Sequence, residues 1–139
     1  MEVSLLRQRL TQTIARAKKQ AAERRARSDD AERAFETFLR AIAVPMFRQT
    51  VNILKSEGYP FSLFTPLGSV RLMSDRTAED FIEVSLDVSG ETPQVVGHSS
   101  RSRGRRVVES ERAIGEPGAL TEDDLLEFLA KELEAYVER

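Results

Sequence analysis

No cysteine occurs among the 139 residues, which excludes disulfides, thiolate nucleophiles and thiolate metal sites. That absence fits a reducing compartment, and the expected location is the cytoplasm. Tryptophan is missing too, and the single histidine is His98. One histidine without cysteine cannot build a usual zinc site, so no metal and no cofactor is expected. No window approaches the roughly eighteen consecutive apolar residues of a membrane span. The N-terminal MEVSLLRQRLTQ lacks the continuous apolar core of a signal peptide. Most telling, glycine and proline are absent from Glu2 to Val44, and nothing interrupts the chain before Pro45.

That uninterrupted stretch predicts a long helix. Leu10, Ile14, Ala17, Ala21, Arg24, Ser28, Ala31, Phe35, Phe38 and Ile42 follow one another in steps of four and three. This is the stripe of a helix lying along another helix. It is strong at both ends and weak between, because ten of the sixteen residues 18–33 are charged. Glu23–Arg27, Asp29–Arg33 and Glu36–Arg40 are acid-before-base pairs at i,i+4, which favour an unbroken helix. Ser28-Asp29-Asp30, with Glu32 following, offers a competing cap and a break there. Pro45 either kinks the helix or starts a new one. Met46, Phe47, Val51, Ile53 and Leu54 point in several directions, as in a buried helix that Gly58 closes.

Strands follow. Phe61–Phe64 and Ser69–Met73 flank the turn Thr65-Pro-Leu-Gly68. In Phe81–Val88, FIEVSLDV, apolar residues alternate with Glu83, Ser85 and Asp87, the pattern of a half-buried strand. Gln94–Ser100 and Arg106–Ile114 make two more, with Gly104 in the turn between them. Connections this short imply an antiparallel meander with one face open to water. Thr121 caps a last helix, with Asp124 in the box position, and its apolar face should lie on the sheet. The expected class is α+β: a long N-terminal helix kinked at Pro45, a meander of four to five strands, and a C-terminal helix packed on it. The expected division is a basic helical arm over 1–33 and a compact head over 34–139. This layout resembles coiled-coil proteins with small α+β heads, such as RWD-like kinetochore subunits. No motif accompanies the likeness, so it implies no functional residue.

Charge divides the chain. Residues 1–57 hold 12 Lys/Arg against 7 Asp/Glu, and residues 58–139 hold 9 against 16, a basic part and an acidic part. No catalytic constellation is visible. His98 lacks convergent partners in sequence, Gly97-His-Ser-Ser-Arg101 fails the nucleophile-elbow pattern, and no phosphate loop occurs. The function expected is therefore a non-catalytic protein–protein interaction module. It would self-associate, most simply as a homodimer, through Leu6, Leu10, Ile14, Phe35, Phe38 and Ile42. The rival expectation is sequence-blind binding of nucleic acid or another polyanion. It would use Arg101, Arg103, Arg105 and Arg106 at one hairpin tip, with Lys18, Lys19, Arg24 and Arg25 on the helix. Against it, the helix offers no aromatic residue before Phe35 for base stacking.

Overall fold

Proline lacks an N–H, and its ring crowds the carbonyl four residues back, so an α-helix cannot run unchanged through Pro45. The computed structural model, which describes residues 2–137, shows how the chain accommodates it. Helix α1 (Val3–Phe38) passes into one π-helical turn at Leu39–Ala43, and α2 (Val44–Ser56) begins with Pro45 in its first turn. The Val44 N–H bonds the Leu39 carbonyl five residues back, the wider turn that makes room for the ring. No break occurs near Ser28. A side-chain cap offers one or two hydrogen bonds, whereas the continuing helix offers a backbone bond at every residue.

Two compact units divide the chain, Met1–Asp30 and Ala31–Arg139. The first is helical from Val3 onward. The second holds five antiparallel strands in sequence order: β1 (Phe61–Phe64), β2 (Ser69–Ser74), β3 (Phe81–Asp87), β4 (Gln94–Arg103) and β5 (Arg106–Gly115). Helix α3 (Glu122–Val137) follows. The expected α+β architecture is the one found.

Alternation decides the two faces of the sheet. Val70, Leu72, Ile82, Val84 and Val95 are fully buried on one face. On them lie Phe35 and Phe38 of α1, Phe47, Val51 and Leu54 of α2, and Leu125, Phe128 and Leu129 of α3, as one core. Helix α2 packs on β1 and β2, while α3 packs on β4, β5 and the π-helical turn. Ile53, expected in the interior, is exposed. Residues 47, 51 and 54 already form the stripe that meets the sheet, and position 53 lies about 100° away from Leu54 around the helix.

Two polar devices fix α3. Its N-terminus is the expected capping box: the Asp124 N–H donates to Thr121 Oγ1 at 3.2 Å, and the Thr121 N–H donates to Asp124 Oδ2 at 3.0 Å. Near its far end the Tyr136 hydroxyl reaches the carbonyls of Phe81 and Ser100, which face each other across β3 and β4. The β4–β5 hairpin runs further than expected, to Arg103 and Arg106, and closes through Gly104 at φ +63°, a conformation side chains rarely adopt. Among the described residues, no helix is long and apolar enough to cross a membrane.

Candidate functional site

The N-terminal turns of α1 carry the largest concentration of uncovered apolar side chains. Val3 is 70% exposed, Leu5 51%, Leu6 42%, Leu10 52% and Ile14 55%. A single exposed leucine needs no explanation; five within twelve residues of one helix do. At about 100° per residue, Val3, Leu6, Leu10, Ile14, Ala17 and Ala21 fall on one side of α1. Further along the same stripe the expectation needs correction. Phe35 and Phe38 are 3% and 5% exposed in the core of the second unit, and Ile42 packs against that core. They share that core with residues of α2, α3 and the sheet, so these three residues make their contact within the chain.

The basic residues expected on the helix, Lys18, Lys19, Arg24 and Arg25, are all exposed on α1. At the hairpin tip Arg103, Arg105 and Arg106 are exposed and Arg101 is half-buried. Among the described residues none of these four arginines forms an ion pair. Glu109 of the same hairpin turns to His98, with Oε1 3.5 Å from Nε2.

That pair belongs to a row across the open face of the sheet. Arg71 of β2 bonds Glu83 of β3, and its guanidinium lies 4.1 Å from the centre of the Phe81 ring. The Phe81 ring meets His98 of β4 edge-on at 5.2 Å, and His98 meets Glu109 of β5. Glu83, His98 and Glu111 are direct cross-strand neighbours. His98 shares the face of Glu83 and Ser85. Each charge in the row has a neighbour of complementary character, and the row reads as cross-strand pairing that ties four strands together. On the other face Glu132 of α3 accepts from the Ser99 hydroxyl at 2.9 Å and pairs with Arg112 at 3.4 Å, fastening β5 to the helix. Among the described residues no three His, Asp or Glu side chains gather as metal ligands would.

One feature escapes sequence reading. A groove of about 550 Å³ in the second unit is lined by Leu39, Leu67, Leu86 and Val88 together with Glu32 and Glu36. Leu67 is wholly exposed. Its signal was a leucine at the third position of the turn Thr65-Pro-Leu-Gly68, where packing makes no demand for it. The rest of the groove comes from a helix and from the end of β3, which only the tertiary fold brings together.

The chain matches no family model, no curated protein and no solved structure.

Proposed function

We propose that this protein is a non-catalytic interaction module of the cytoplasm that self-associates as a homodimer through the N-terminal turns of α1. The observation that carries the proposal is the run of exposed apolar side chains from Val3 to Ile14. Burying such a side chain fully is worth about 1.5–3 kcal/mol relative to leaving it in water. A helix of this kind has no core of its own to bury them in. A second copy supplies the same stripe, self-complementary about a two-fold axis. Ala17 and Ala21 continue the stripe with small side chains, which let two helices approach closely.

The experiment is a chain that begins at Asp29. It retains Phe35, Phe38 and the rest of the core, and should fold as a monomer when sedimentation is compared with the full chain. A truncated chain that still dimerises would move the interface to the second unit and end the proposal.

A second reading, polyanion binding, has one observation in its favour: the hairpin arginines lack acidic partners while Glu109 is engaged by His98. It predicts binding to a random nucleic acid that weakens steeply with salt. Changing Arg103, Arg105 and Arg106 to Ala should remove most of that binding in a titration at low ionic strength. Unchanged affinity would eliminate the hairpin as the site.

A further inference from the structure

We propose that the free edge of β5 is a docking site for an extended peptide of a partner protein, which adds to the sheet as a further strand and carries Lys or Arg at alternate positions. The surface lies wholly within the second unit, so it stands apart from the self-association proposed above.

The backbone carries the argument first. The sheet order gives β5 a neighbour on one side only, β4. Alternate residues of an antiparallel strand turn their N–H and C=O groups to opposite sides, so about half of those of β5 point away from β4. Native edges are commonly kept short or interrupted by proline. At the other edge, β1 is four residues long. By contrast β5 runs for ten residues without proline, and residues 106–113 are all exposed. Such an unpaired row of donors and acceptors is a template for another strand.

Helix α3 adds a second wall. A recess of about 210 Å³ lies between residues 112–114 of β5 and Asp124, Glu127, Phe128 and Lys131, which share one face of α3. It has room for one side chain of the added strand. In strand addition, main-chain hydrogen bonds supply affinity, while recesses and edge charges supply specificity.

Charge decides the occupant. Glu109 and Glu111 lie two apart on the face of the sheet that carries His98, so an added strand sets side chains at alternate positions beside them. Among the described residues Glu111 forms no ion pair, and Glu109 has only the 3.5 Å contact with His98. Lys or Arg at the two facing positions completes both. A second copy of β5 fits poorly. A two-fold axis perpendicular to the sheet would pair the two copies antiparallel. Within residues 106–113 the two longest registers centre on Glu109 and on Ser110. The first sets Glu109 against Glu109 and Arg106 against Arg112. The second sets Glu109 against Glu111 twice. Like charges directly opposite are destabilising, so this edge disfavours its own copy and accepts a basic strand.

The test titrates the full-length protein with a terminally blocked peptide, Thr-Lys repeated four times, and follows amide hydrogen exchange. The peptide should slow exchange of alternate β5 amides and leave those of β1 unchanged. A peptide of the same composition with its lysines in one block should bind about tenfold more weakly. In the double variant Glu109→Lys, Glu111→Lys, the affinity for the alternating peptide should fall about tenfold, with thermal unfolding unchanged because both side chains are exposed. Absence of binding at low salt overturns the proposal. Equal binding of both peptides without protection of β5 does so too, since that is charge attraction alone. An affinity unchanged by the double variant would mean that the edge does not read bases. Protection of β5 that grows with protein concentration in the absence of peptide would place a second copy on the edge and overturn the choice of occupant.

Discussion

Gly97→Ala should lower the thermal midpoint of the protein by several degrees, and Gly97→Val should prevent the head from packing. A Cβ on Gly97 would stand 2.2 Å from Cζ and 2.3 Å from Cε1 of the Phe128 ring. Those distances are well inside van der Waals contact, so something must move. The ring is buried at the centre of the α3–sheet interface and lies beside Arg112, whose guanidinium is 5.1 Å from its centre. Swinging it away would lift α3 from β4. Overfilling a packed core costs about 1–3 kcal/mol. The alanine itself returns about 0.4–1 kcal/mol by stiffening the unfolded chain, so the net effect is a loss. Gly97 is in extended strand, so backbone conformation is not the issue and the penalty is steric. Shrinking the neighbour tests this: the double variant Gly97→Ala, Phe128→Leu should lose less than the sum of the two single changes. Additive losses in denaturant titration would mean that the ring and the glycine do not compete for the same space.

Changing Leu6, Leu10 and Ile14 together to Gln should raise the dimer dissociation constant by about four orders of magnitude. Six side chains are involved per dimer. If each contributes about 1 kcal/mol, less than full burial would give, the loss is about 6 kcal/mol, or roughly 10⁴-fold. Glutamine is a good helix former without charge, so neither helix propensity nor the basic balance of the segment changes much. The side chains are exposed in the isolated chain, so the core of the second unit should be untouched and its thermal unfolding should stay the same. Helicity should change, however. A helical segment without tertiary packing is marginal in water, so the unpaired first unit should lose circular-dichroism signal at 222 nm in the variant. Dilution of the unmodified protein below its dissociation constant should produce the same loss. A triple variant that dimerises as before would remove the tip from the account.

Much of this fold was legible because local rules and tertiary packing agree along most of the chain. The alternation in FIEVSLDV placed Ile82 and Val84 inside, and both are fully buried. Thr121 and Asp124 form the cap that their spacing implies. Where reading stopped short, the cause lies in what a pattern can encode. Phe35 and Phe38 have helical spacing, but that spacing is the same whether a sheet or another helix covers the stripe. Only the tertiary structure shows that the core of their own chain has taken them. Ser28-Asp29-Asp30 has the chemistry of a cap, and only the unbroken ladder of α1 shows that it goes unused. The groove beside Leu67 joins positions far apart in sequence, so no local pattern could announce it. At the hairpin tip the four arginines were visible, but the diversion of Glu109 to His98 depends on the β4–β5 register.

The central claim is that the exposed tip of α1 belongs to a dimer. Light scattering on the full-length protein, from sub-micromolar to the highest concentration that stays clear, tests it most directly. The account predicts a mass twice that of one chain at the upper end, falling toward the single chain on dilution. A single-chain mass at every concentration would contradict it.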